Sequence, residues 1–154
     1  MDRIDKKILT LLQEDGRVSN HALAEAVALS PSPCLRRVKL LEESGVIKKY
    51  VALLDAESLN LEMTVMLSIG LDKHSPDRMR QFESTIKKIP EVMQCYLLTG
   101  QAADYLLKIV VSNMGHYQKL LLERITPIDG VTSVHSSFVL QQVVDKTRYP
   151  LDFV

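Results

Sequence analysis

The chain has no tryptophan, two cysteines, six glycines and six prolines in 154 residues, and only 5% of it is aromatic. Cys34 and Cys95 stand far apart and neither belongs to a CxxC pair. That excludes a disulfide framework or zinc ribbon and makes a reducing cytoplasm the expected compartment. Charge of one sign is also missing: 19 basic residues balance 19 acidic ones, so no bulk field draws the chain to nucleic acid or membrane. No apolar run reaches the roughly 18–20 residues needed to span a bilayer. The opening MDRIDKK mixes acids with bases and has no long apolar stretch behind it, unlike a secretory signal. No P-loop, GxGxxG, nucleophile elbow or paired-carboxylate constellation occurs. His21, His74, His116 and His135 are scattered, with no two at ligand spacing, and read as surface or core residues. The methionines read as core filler. Neither a metal site, a cofactor nor a catalytic residue is expected.

An apolar fraction of 46% remains, which is ordinary for a globular protein and excludes wholesale disorder. The charge is unevenly placed. Residues 30–50 carry Arg36, Arg37, Lys39, Lys48 and Lys49 against Glu42 and Glu43, an excess of three positive charges.

The first fifty residues read as three short helices. Asp2 caps the first, whose Ile4, Ile8, Leu11 and Leu12 recur at helical spacing, and Gly16 ends it. Ser19 or Asn20 caps a second that carries Leu23, Ala24 and Val27. After a tight turn through Ala28, Leu29 and Ser30, Ser30 caps a third helix with Pro31 at its first position. Leu35, Val38 and Leu41 are expected to form its buried stripe, and Gly45 stops it. Two such helices joined by a short turn match a helix-turn-helix, whose second helix enters the DNA major groove. The polar face of the third helix holds Ser32, Arg36 and Lys39, with Pro33 and Arg37 on its flank. Arginine forks onto guanine, serine reads either base type, and lysine suits phosphate. The following VIKKYVALLD is expected to run as a basic wing strand.

The second part changes period. Met63 to Leu71 alternate as a strand does, residues 76–89 return to helical spacing, and Pro90 closes that helix. Val92–Thr99 and Tyr105–Val111 are two β-rich runs around a hairpin-length loop. Met114–Ile125 is helical, and Val131–Val144 is a last strand. The order β-α-β-β-α-β is the split ferredoxin-like arrangement. With helices on one face only, the other sheet face needs a cover, and self-association is the simple answer.

The segments DRIDKKILTLLQEDGRVSN, LSPSPCLRRVKLLEESGVIKKYVALLD and TGQAADYLLK resemble the Lrp/AsnC family of regulators, its leucine-responsive branch above all. The resemblance covers essentially the whole chain. It implies an α+β protein with an N-terminal winged helix-turn-helix over 1–50, a linker over 51–61, and a ferredoxin-like effector-binding and oligomerisation domain over 62–154. It implies a sequence-specific transcription regulator binding double-stranded DNA, and a homodimer that assembles further, to an octamer for instance. The effector is expected to be a small apolar amino acid, leucine or methionine. The runner-up is an enzyme like the haem-precursor decarboxylases of the same fold family.

Two departures from the family stand out. Ala28 occupies a turn position usually held by glycine, and three residues separate Gly100 from Asp104 where two are usual. The resemblance places effector contacts at Thr99, Gly100, Gln101, Ala102, Ala103 and Asp104, with Ser136, Ser137 and Phe138 on the last strand. The chemistry agrees: a free amino acid needs an anion for its ammonium, which Asp104 supplies. Its carboxylate needs N–H donors, which the backbone of a glycine- and alanine-rich loop presents. Asp104 closing a hairpin is the bland alternative.

Overall fold

In the computed structural model, which describes residues 1–100 and 103–153, the chain forms two compact units. One comprises Met1–Leu53 together with the tail from Val144 onward, and the other Leu54–Val143.

The first unit is helical: α1 (Arg3–Glu14), α2 (Asn20–Ala26) and α3 (Pro31–Glu43). Asp2 caps α1 in a full capping box, its side chain accepting from Ile4 and Asp5 N–H while the Asp5 carboxylate accepts from Asp2 N–H. Ser19 caps α2 through a hydroxyl that accepts from Ala22 N–H at 3.2 Å. Ser30 holds the cap position of α3 but makes no side-chain cap bond. Proline at position 33 explains this, since it lacks the N–H at the third helical position that such a cap would take. Around the turn, Ala28 has φ +57°, and the bonds Ala28 N–H to Glu25 O (3.1 Å) and Leu29 N–H to Ala24 O (2.9 Å) complete a Schellman motif. Ile8, Leu9, Leu23, Ala24, Val27, Cys34 and Leu41 are the core. The expected stripe on α3 is thus corrected by one residue. Cys34 is fully buried and Leu35 is 44% exposed, because three contacting helices centre on the 34–38–41 row. Among the described residues, 48–53 pair with no strand, so the expected wing strand does not form there. Tyr50 instead donates its hydroxyl to Glu42 Oε1 at 3.0 Å.

The second unit runs β1 (Met63–Leu71), α4 (Pro76–Ile86), β2 (Val92–Leu97), β3 (Tyr105–Val111), α5 (Met114–Leu120) and β4 (Val131–Phe138). A π-helical turn, Leu121–Ile125, extends α5. The antiparallel sheet has the order β2-β3-β1-β4, the ferredoxin-like arrangement. Pairing of Leu67 with Leu107 and Ser136 sets the register. One face, with Val65, Leu67, Ile69, Tyr105, Leu107 and Ile109, packs on Phe82, Ile86, Tyr117, Leu120 and Ile125. β4 stops at Phe138, six residues before the expected end. Its partner β1 begins at Met63, and only the Val139 N–H still reaches across, to Thr64 O. β2 likewise ends at Leu97, where Leu98 N–H turns to bond Asp104 O at 2.8 Å.

Candidate functional site

On α3, Ser32, Pro33, Arg36 and Lys39 are all exposed, at positions whose helical spacing aligns Ser32, Arg36 and Lys39 on one outward face. Arg37 is placed differently. Its guanidinium turns to α1 and donates to Asp2 Oδ2 and Asp5 Oδ1, each at 2.7 Å, leaving its side chain 30% exposed. The Asp5 backbone N–H and the Arg37 guanidinium together hold the Asp2 carboxyl below its ordinary range. Of the five residues expected to address DNA, four therefore face solvent and one braces α1 against α3. The sequence reading missed Leu35 and Leu40, which flank the outward face and are 44% and 56% exposed. Cys34, Val38 and Leu41 were the alternative apolar row that would have revealed them.

In the second unit, Asp104 opens β3 and is knitted into the sheet end. Its N–H donates to Ile69 O (2.8 Å), and its Oδ2 accepts from Leu71 N–H (2.7 Å). Its Oδ1 meets His74 Nε2 at 2.7 Å. Asp104 therefore does more than close a hairpin: it bonds the end of β1, some thirty positions earlier in the chain. His74 escaped the sequence reading because nothing local links it to Asp104.

Beside this end of the sheet, Arg78 of α4 bridges Asp72 (3.0 Å) and Asp129. Gly130, at φ +90°, is required there, since a Cβ would lie 2.5 Å from Arg78 Cδ. Arg78 thus ties β1, α4 and the start of β4 into one rigid corner.

Thr99 and Gly100 are exposed, Ala103 is half-buried, and Gln101 and Ala102 lie outside the described residues. Ser136, Ser137 and Phe138 sit elsewhere. They pair with Leu67, Met66 and Val65 on the opposite side of β1 from β3. That is about 7–13 Å along the strand from Ile69, at about 3.3 Å per residue. The Ser136 hydroxyl meets Tyr117 Oη, and Phe138 packs edge-on against the same ring at 5.5 Å, while Ser137 faces the other side of the sheet. Among the described residues, one copy of the chain leaves Asp104 apart from Ser136, Ser137 and Phe138.

An outward basic helix on one unit and an anchored carboxylate on the other are the parts of a two-domain, ligand-responsive DNA-binding protein. Comparison with known proteins agrees. Residues 1–48 match the winged helix-turn-helix DNA-binding family, and residues 64–149 match the Lrp/AsnC ligand binding domain. The chain is 42% identical over 148 residues to a leucine-responsive regulatory protein of Klebsiella pneumoniae, covering 96% of this chain and 90% of that one. It is 44% identical over 151 residues to the Bkd operon transcriptional regulator of Pseudomonas aeruginosa, covering 98% of each. A transcriptional regulator of Neisseria meningitidis, solved as a complex with L-methionine, superposes with TM-score 0.94 at 40% identity over 99% of this chain and 98% of that one. The chain belongs to the Lrp/AsnC family and is a DNA-binding transcriptional regulator with an amino-acid ligand domain. No helix among the described residues is long and apolar enough to cross a membrane.

Proposed function

We propose that this protein controls transcription in response to leucine or methionine, using Ser32, Pro33, Arg36 and Lys39 to address DNA and Asp104 to hold the effector ammonium. Arg37 contributes through the geometry of α3. The observation that carries the effector half is the Asp104 carboxylate, which is fixed by a backbone N–H on one oxygen and, among the described residues, meets an exposed imidazole with the other. The L-methionine found with the Neisseria relative and the leucine-responsive names of others support an apolar amino acid. Thr99, Gly100, Gln101, Ala102 and Ala103 supply loop contacts. Ser136, Ser137 and Phe138 complete the site from a second copy, because within one chain they lie apart from Asp104. The division into a DNA-binding part over 1–50, a linker over 51–61 and a sensing part over 62–154, the homo-oligomeric state, the cytoplasmic location and the lack of enzymatic activity belong to the same reading.

The test measures both ligands. Affinity for duplex DNA falls steeply with salt if lysines and arginines neutralise phosphates. Arg36→Ala costs about 1–3 kcal/mol on a selected site if it reads a base edge. Calorimetry with leucine and methionine then compares wild type with Asp104→Asn, which keeps the acceptor for Leu71 N–H and removes the charge. Loss of a hydrogen bond to a charged group predicts roughly 10- to 150-fold weaker binding. Unchanged affinity in that variant refutes the assignment of Asp104, and failure to bind any duplex at low salt refutes the DNA half.

A further inference from the structure

The two partners of the Asp104 carboxylate are not equivalent. Leu71 N–H belongs to the paired end of a strand and cannot leave without breaking the sheet. His74 stands in the loop between β1 and α4, and its side chain is 73% exposed. The Asp104 side chain is only 20% exposed, but a contact whose imidazole side is so open to water is the weaker of the two, so His74 is the partner that exchanges easily. Other cations at this corner are differently committed. Arg78 is spent on Asp72 and Asp129. Lys73 is exposed beside His74 and is the natural control.

An α-amino acid arriving at Asp104 carries an ammonium and a carboxylate on the same carbon. Its ammonium competes for Oδ1, the oxygen His74 holds. The displaced imidazole N–H is then adjacent to a new carboxylate, the same type of acceptor it has just lost. We propose that His74 is the effector's carboxylate partner. It exchanges Asp104 for the ligand and so makes the site select zwitterionic amino acids over the matching amines and amides. This rests on the reading of Asp104 as the ammonium site. It differs from a site in which loop backbone amides alone hold the carboxylate.

The exchange has a two-sided signature. For an amino acid, the His74–Asp104 contact is replaced by a more enclosed His74–carboxylate contact, so losing His74 costs the difference between the two. For leucinamide, the contact is only lost, so removing His74 abolishes a competitor. Calorimetry on the full-length protein at a slightly acidic pH, with leucine, methionine and leucinamide as probes, reads both effects. In His74→Ala, leucine and methionine are expected to bind about two- to tenfold more weakly, one charge-assisted hydrogen bond less the competitor removed with it. Leucinamide is expected to hold its affinity or tighten up to about fivefold, the range of an exposed ion pair. His74→Gln, which keeps an N–H donor, recovers part of the leucine affinity, and Lys73→Gln leaves the leucine-to-leucinamide ratio as in wild type. An unchanged ratio in His74→Ala overturns the proposal and returns the carboxylate to the loop amides. A ratio that collapses in Lys73→Gln instead overturns it in favour of the lysine. If wild type binds neither leucine nor methionine, the effector reading itself falls, and this inference with it.

Discussion

Ala28 is the residue at which local cost is clearest. Its φ of +57° is left-handed, a region that costs an L-residue with a side chain about 1–2 kcal/mol. The turn holds it there because both Schellman bonds and the burial of neighbouring Val27 require that geometry. Glycine removes the strain but adds about 0.4–1 kcal/mol of unfolded-state freedom. Ala28→Gly is therefore expected to stabilise the helical unit by about 0.5–1 kcal/mol, raising its unfolding midpoint by a few degrees. A lowered midpoint would show that the turn relaxes in solution. Arg37 makes a second residue-scale prediction through Asp2, whose depressed carboxyl contributes stability above the ordinary carboxylate range. That contribution is lost as pH falls through the folded-state value below 3.8. Asp2→Asn still caps α1 but cannot neutralise Arg37. Its deficit against wild type should be largest at neutral pH and vanish once pH has fallen below the folded-state value. A pH-independent deficit in acid titration followed by circular dichroism would rule out the ion pair as its cause.

Among elements, the C-terminal tail departs most from expectation. It was read with the sensing domain, yet it packs on α1. Gln13 Oε1 accepts from Tyr149 N–H at 2.7 Å, Gln13 Nε2 donates to Tyr149 O at 3.3 Å, and Arg148 pairs with Glu14. Leu151 lies against the helical core. Leu151→Ala should cost about 1–3 kcal/mol, less than a fully enclosed leucine because the site is only half-buried. Amide exchange in α1 should accelerate accordingly, whereas unchanged α1 protection would mean the tail docks without bearing on stability. The strands β1 and β3 were legible residue by residue, because burial on one face writes a period of two into the sequence. The end of β4 was not, since Leu140, Val143 and Val144 continue the β-rich composition after the pairing with β1 has run out. Nor was the tail, whose docking rests on Gln13 meeting Tyr149 and on Leu151 meeting the helical core across more than a hundred residues. The same distance problem hid His74 from Asp104. Sequence periodicity reports which face is buried, not which distant side chain arrives there.

For the whole molecule, the proposed self-association turns on the open face of the sheet. Met66, Leu106 and Val110 lie on it with Thr64, Ser68, Lys108 and Tyr96, opposite the helix-covered face. Four strands about 4.8 Å apart and some 25 Å long present an apolar-centred patch on the order of 500 Å², a large share of the ~800 Å² per partner of a standard interface. Leu54, Leu140 and Val143 of the same unit are exposed as well and can supply the remainder. A second copy of the same sheet is self-complementary only through a two-fold axis, so a closed dimer is the expected product. Leu106→Glu puts an uncompensated charge at the middle of that face. It should turn the dimer into a folded monomer by light scattering at micromolar concentration, with the circular dichroism of wild type. DNA binding should respond in a defined way. A dimer engages two half-sites about 34 Å apart, and a monomer only one, so the slope of log affinity against log salt should fall by about half. Single-half-site affinity should stay near wild type, because α3 and its outward Arg36 and Lys39 are untouched. A Leu106→Glu protein that remains dimeric would place the interface elsewhere. A monomer that keeps the full salt slope would mean that DNA recognition never depended on two copies.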